Sequence, residues 1–237
     1  MRRPDITVTK EVEMNFKIIA RIKTDFTEKF GIPRQSGIAK TRAKIIFEPE
    51  YRVREALRGL DAYSHLWLIW EFSEAQRDGW SPTVRPPRLG GNKRMGVFAT
   101  RAPYRPNPIG LSSVKLLSIE DTEREGTVLI VEGADLLDGT PIYDIKPYLA
   151  YTDSHPDAVC GFADEVRDYT VKVKFDLQLL EKIPEDKRDA LITILENDPR
   201  PSYKEEGERE YGMKYAGFDV FFKVKDGELT VTKIDKI

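Results

Sequence analysis

One cysteine and two histidines in 237 residues leave little with which to hold a soft metal ion. A zinc site gathers three or four such ligands, so Cys160, His65 and His155 argue against a metal. A lone cysteine also excludes an internal disulfide, which fits a reducing compartment. Cys160 lies among Ala158, Val159 and Phe162, and that setting predicts a small buried apolar group rather than a nucleophile. No apolar run approaches the roughly 20 residues of a membrane span, and the start Met1-Arg-Arg-Pro-Asp5 lacks the apolar stretch of a signal peptide. A cytoplasmic protein without membrane contact is expected. Net charge is nearly absent too: 38 Lys and Arg face 40 Asp and Glu. No whole-molecule attraction to nucleic acid follows, and any such claim must rest on a local patch. Gly-x-Gly-x-x-Gly and βαβ alternation are also missing, which argues against a doubly wound nucleotide-binding sheet.

One absence is local. Between Asp78 and Glu120 there is no carboxylate, while Arg85, Arg88, Lys93, Arg94, Arg101, Arg105 and Lys115 all fall inside. Prolines 103, 106 and 108 fix φ and remove three backbone donors, so residues 102–109 cannot be a central strand and read as a rigid loop. A charge cluster alone is usually a solvated surface. Here the missing acids and the proline rigidity favour a face for RNA, with Arg85, Arg88, Lys93, Arg94 and Arg105 on phosphates and Trp80 or Tyr104 stacking on an unstacked base.

With 40% hydrophobic and 33% charged residues, the composition is globular. Residues 16–24, 43–47, 95–100, 111–119 and 127–133 read as strands, and 48–57 as a short helix opened by Pro49. The strongest apolar run, 62–72, reads as a strand buried on both faces, with His65 at its start as either a packed core histidine or a ligand contact. Many short strands and few helices point to an antiparallel barrel or sandwich. After Cys160 the texture changes. A strand at 168–175, helical spacing over 177–197 broken by Pro184, and a hairpin around Asp226-Gly227 make a small α+β unit. Within it Asp198-Pro-Arg-Pro-Ser-Tyr203 holds Arg200 between two prolines, which suits presentation of a guanidinium to RNA; alternatively the prolines merely end the helix.

Five segments together carry a resemblance: Phe-Gly-Ile-Pro-Arg-Gln at 30–35, Ser64-His-Leu-Trp, the stretch from Gly96 to Ser112, Asp138-Gly-Thr-Pro-Ile-Tyr-Asp-Ile-Lys-Pro-Tyr148, and Asp198-Pro-Arg-Pro-Ser-Tyr203. They resemble the TrmO family, also called TsaA-like or YaeB, from about Phe16 to the end of the chain. The resemblance implies a mainly β fold, a single-sheeted antiparallel β-barrel over 14–165 with a small α+β domain over 166–237. It implies an S-adenosylmethionine-dependent tRNA methyltransferase acting on N6 of threonylcarbamoyladenosine beside the anticodon, and a homodimer with the donor near the subunit contact. Carried over by position, Pro33, Arg34, Gln35, His65, Leu66, Arg101, Leu111, Asp138, Gly139, Thr140 and Pro141 would meet the cofactor. These residue types suit its carboxylate, adenine edge and sulfonium. The acceptor is a ureido-type nitrogen, so a base would help; Asp138, Asp144 and Asp153 are candidates, with His65 fourth. Asp138 reads equally as a turn residue, and Asp144 as a partner of Lys146. Two rivals stay open: an RNA-binding barrel without cofactor, and a methyltransferase with another acceptor. Deletion of the C-terminal unit is expected to leave a folded barrel that still binds the donor.

Overall fold

A computed structural model describes residues 15–75, 79–89, 93–200 and 209–237. Its first half is a ring of antiparallel strands: β1 (Ala20–Lys23), β2 (Arg42–Phe47), β3 (His65–Glu71), β6 (Ile109–Thr122), β7 (Gly126–Glu132) and β8 (Pro141–Pro147). They pair in the order β1-β2-β7-β6-β3-β8, and β8 returns to β1 through Ala20 opposite Ile142, which closes a barrel. Closure gives each strand an inner and an outer face, and the burial pattern of β2, exposed at Arg42 and buried at Ala43, Ile45 and Phe47, follows that period of two. The interior is filled by Ile22, Ile45, Leu66, Leu68, Leu129 and Ile142, each at most 1% exposed. Burial of each such side chain stabilises the fold by about 1.5–3 kcal/mol as an upper figure. Strand β6 is long enough to serve both neighbours because a bulge between Leu116 and Ser118 bends it.

The mainly β reading holds, with local differences. The run 62–72 is not buried on both faces. In β3 Leu66, Leu68 and Trp70 point inward while Trp67 and Ile69 are half-buried outside, as a barrel wall requires. The expected helix over 48–57 is two separate single turns, Pro49–Tyr51 and Arg54–Leu57. Of the strand expected over 95–100 only β5 (Met95–Gly96) forms, paired with β4 (Thr83–Val84), before the chain turns at Val97–Ala99. Cys160 is exposed, not buried. It lies after α1 (Ala150–Asp153) in a connection where Val159 is also open to solvent, so its apolar neighbours do not enclose it.

The second unit contains β9 (Lys172–Lys174), α2 (Leu177–Leu180), α3 (Glu185–Glu196), β10 (Tyr211–Tyr215), β11 (Phe218–Lys225) and β12 (Glu228–Lys236). Its sheet runs β10-β11-β12-β9, with β9 parallel to β12. Pro184 stands just before α3, where its missing N–H costs nothing, and Ala190, Leu191, Ile194 and Leu195 form the buried face. Strand β10 alternates by twos, with Tyr211, Met213 and Tyr215 buried and Gly212 and Lys214 between them, an element that the sequence reading left unassigned. This unit's core is not made by its own residues alone. Phe26 and Ala39, from the loop between β1 and β2, are buried in it, with Phe30 and Ile32 packed alongside.

Candidate functional site

The barrel has two ends, and the expected ligand-binding residues divide between them. At one end the 24–41 loop, the start of β6 and the segment entering β8 meet. There the exposed Arg101 donates from Nη1 to Oε1 of Gln35, joining the proline-rich loop to the 33–35 segment. Leu111 stands open beside them at 56% exposure. The 138–141 turn is rigid: Asp138 donates its N–H to Phe26 O at 2.8 Å, and its Oδ1 accepts from Thr24 N at 2.9 Å. Gly139, at φ 78°, donates to Ile22 O at 2.8 Å; Thr140 and Pro141 are buried. A positive φ with an open Cβ direction lets a ligand approach the Gly139 backbone closely.

Beneath this end lies a carboxylate that no motif marks. Trp70 Nε1 donates to Ser112 Oγ at 3.0 Å, and Ser112 Oγ donates to Asp135 Oδ1 at 2.6 Å. Burial pushes the Asp135 pKa up, against the opposing pull of the Ser112 hydroxyl, its own N–H, the Arg101 charge and the Ser36 N–H. Asp135 is therefore bonded to the barrel core through Ser112, with the Arg101 charge near enough to act on it. Sequence reasoning missed it because Gly-Ala-Asp-Leu-Leu reads as an ordinary turn; the available signal was one acid within an otherwise apolar segment, 133–137.

His65 and Leu66 sit at the other end. Along β3 the partner of His65 is Lys115 and the partner of Ile69 is Leu111, a separation of about 13 Å at strand rise. His65 is exposed and its Nδ1 meets Ser64 Oγ at 2.9 Å, so it is not a packed core histidine. The base candidates are each engaged. Asp144 pairs with Lys146 at 2.7 Å. Asp153 accepts from Leu149 N at 3.0 Å and Trp67 Nε1 at 2.7 Å, which holds its carboxyl below the usual range.

Of the basic residues, Arg85 and Lys93 are exposed, and Arg94 is exposed while touching Thr83 Oγ1 at 3.0 Å. The side chain of Arg88 lies outside the described residues, as does Tyr203. Two of the expected phosphate contacts need correction. Arg105 is half-buried and donates from Nη1 to the carbonyls of Val97 and Thr100, stapling the proline-rich loop because that loop's prolines leave its carbonyls few local donors. Arg200 is 7% exposed and forks onto Asp198, Nε to Oδ1 and Nη2 to Oδ2, both at 2.9 Å, so it faces inward and not toward a surface ligand. Phe98 and Trp80 are 72% and 54% exposed with ring centroids 6.1 Å apart, and the Arg105 guanidinium lies 5.6 Å from the Phe98 ring centroid, an aromatic face next to positive charge. Among the described residues no group of three or more His, Cys, Asp or Glu is placed to hold a metal ion.

Sequence profiles described as the tRNA-methyltransferase O N-terminal domain and the TrmO C-terminal domain match residues 21–154 and 168–237. The chain belongs to the TrmO family. An Escherichia coli relative named tRNA (adenine(37)-N6)-methyltransferase is 39% identical over 229 residues, covering 93% of this chain and 97% of its own. A Pseudomonas aeruginosa relative with the provisional name S-adenosylmethionine-dependent methyltransferase RcsF is 41% identical over 211 residues, 85% of this chain and 89% of its own. The crystal structure of TrmO from Pseudomonas aeruginosa superimposes with a TM-score of 0.77 at 34% identity, covering 96% of this chain and 99% of that one. Family membership extends over both units, so the C-terminal unit is part of the TrmO architecture and not an unrelated appendage.

Proposed function

We propose that this TrmO-family chain transfers a methyl group from S-adenosylmethionine to N6 of adenosine 37 of tRNA, and that the acceptor base is N6-threonylcarbamoyladenosine. Its ring of strands is, on this reading, the TsaA-like single-sheeted barrel. The observation that carries the reading is the Arg101–Gln35 hydrogen bond at one barrel end, its arginine drawn from a basic stretch that has no acid in sequence from 79 to 119.

The residues fit the donor. The Arg101 guanidinium, exposed and anchored through Gln35, matches a carboxylate; the Gln35 amide matches an adenine edge, and the open Cβ side of Gly139 leaves room for a ring to pack. Adenosylmethionine brings the electrophilic methyl on its sulfonium, so the protein's part is alignment and charge placement. Arg101 and Gln35 orient the donor. The buried Trp70–Ser112–Asp135 chain of hydrogen bonds stiffens the barrel wall beneath them. Arg85, Lys93 and Arg94 attract tRNA phosphates, and Trp80 or Phe98 offers a ring to a base turned out of the anticodon loop.

The position of His65 supports a homodimer. It lies too far along β3 to meet a ligand held by Arg101 of the same barrel, whereas a second copy could bring its own exposed His65 to that site under two-fold symmetry. Leu66, buried in the barrel core, presents no side chain to a ligand. The decisive experiment is mass spectrometry of nucleosides from tRNA incubated with the protein and donor, alongside calorimetry of donor binding to wild type and Arg101→Ala. Methylated threonylcarbamoyladenosine and loss of binding in the variant are expected. Methyl appearing on another base, or undiminished affinity in Arg101→Ala, would overturn the acceptor or the site, respectively.

A further inference from the structure

We propose that the 198–200 turn of the C-terminal unit is a positioning element of the donor site, acting through Arg34. The inference rests on the reading of the 33–35 segment as a donor contact. Arg34 Nη2 donates to the carbonyl oxygens of Asp198 at 2.9 Å and of Arg200 at 2.8 Å, across 164 and 166 residues of chain. Its guanidinium therefore points into the C-terminal unit, and the next residue, Gln35, faces Arg101.

The turn that receives Arg34 is built to be stiff. Asp198 follows α3, donates its N–H to Leu195 O at 3.0 Å and adopts φ 45°, a left-handed conformation that Asp and Asn tolerate. Its carboxylate then takes the Arg200 fork and the Arg200 N–H, with Asp198 4% and Arg200 7% exposed. A buried ion pair is a poor source of net stability but a good source of a unique geometry, since every alternative leaves a buried charge unpaired. Here the geometry it holds is that of two carbonyls aimed at Arg34. The Arg200 guanidinium, which its flanking prolines seemed to present to RNA, thus serves the loop that carries Gln35.

The rest of the loop repeats this arrangement. On the near side Phe30 stacks on Phe222 at 6.3 Å with a 7° interplanar angle, inside the C-terminal core. On the far side Gly37 N donates to Gly133 O at 2.8 Å, next to the Asp135 segment. The donor loop is a bridge with one footing in each unit, and the C-terminal unit is required for its shape.

The test is a double-mutant cycle in the full chain with Arg34→Gln and Asp198→Asn, reading adenosylmethionine affinity by calorimetry, donor KM and kcat on tRNA, and melting temperature. Asn keeps the left-handed backbone and the shape of Asp198. The coupling between the two variants separates a positioning role of Arg34 from the direct donor contact that the resemblance implies for it, which Asp198→Asn would leave intact. Each single variant is expected to weaken donor binding by about tenfold, the scale of losing charge-assisted hydrogen bonds. The loss is expected mainly in donor KM, with a smaller change in kcat, and the double variant should be no weaker than the worse single one. Additive losses, or unchanged donor affinity in Arg34→Gln, would overturn the proposal, and so would a decline in kcat at constant KM. If Asp198→Asn does not fold, Arg34→Gln alone decides. Wild type failing to bind adenosylmethionine would instead defeat the donor-site reading itself, so the two failures are distinguishable.

Discussion

Replacing Gly110 by alanine tests the packing that underlies the proposed donor site. Gly110 lies directly across from Trp70 in the β3–β6 pairing, and the indole ring covers it. A Cβ at 110 would lie 2.3 Å from Trp70 Cε2, 2.5 Å from Cζ2 and 2.6 Å from Cδ2. The ring cannot yield cheaply: it is 6% exposed, packs on Phe72 at 4.3 Å and is held by the Ser112 hydroxyl. Overpacking of this kind costs about 1–3 kcal/mol. Breaking the indole–Ser112 bond adds about 1 kcal/mol, and the better strand behaviour of alanine offsets roughly 0.5–1 kcal/mol. The net destabilisation is about 1–3.5 kcal/mol, which in a protein of this size lowers the melting temperature by roughly 2–14 °C. Because Ser112 carries the contact to Asp135, donor affinity should fall with it. Differential scanning calorimetry and donor titration measure the two effects. Gly96→Ala is the control, with nothing within 4 Å of its Cβ and no positive φ. A Gly110→Ala melting point within about 1 °C of wild type, set against the shift derived above, would refute the steric argument.

Two further predictions concern pH. Burial raises the Asp135 pKa, so the folded state holds that proton more tightly than the unfolded chain; its contribution to stability is present below the unfolded carboxylate pKa and lost as pH rises through the folded value. Asp135→Asn should flatten the fall of melting temperature across that window, and an unchanged slope would count against the buried carboxylate. Asp153 behaves oppositely: with its pKa lowered by Leu149 N–H and Trp67, its contribution is present above the unfolded pKa and lost as pH falls through the folded one. The Trp67 indole N–H resonance should shift in that acid range in wild type and stay constant in Asp153→Asn; a titrating signal in the variant would exclude Asp153 as the cause.

Local patterns revealed strands where one face is plainly apolar, as in β2, and the hairpin β6–β7, whose acidic turn closes at Gly126 with φ 69°. They misled where long-range partners decide. Trp67 and Ile69 look like core residues in the sequence, yet they form the outer wall, where Tyr148 lies 5.4 Å from Trp67. The resemblance singled out Gln35 and Arg101 separately, but their contact across 66 residues was not legible. Arg200 illustrates the same limit. The flanking prolines suggested display, although Asp198, two residues earlier, was the available counter-charge and the fold turns the pair inward. Asp135 has no signature at all, because its meaning comes from Ser112 and Trp70, 23 and 65 positions away in the chain.

The parallel pairing of β9 with β12 has a consequence for how the protein is made. Every barrel strand is complete once β8 ends at Pro147, yet the sheet that encloses Phe26 and Phe30 closes only when Glu228 to Thr230 dock beside Lys172 to Lys174. A chain emerging in order from a ribosome carries its 24–41 loop, with two phenylalanines uncovered, through the synthesis of about the last third of the molecule. Such distant contacts form slowly, because loop closure precedes their reward. On the proposed reading of the 33–35 segment as a donor contact, competence to hold a methyl donor is then a property acquired at the end of synthesis. Partly made chains would carry the proposed tRNA surface before they could use it.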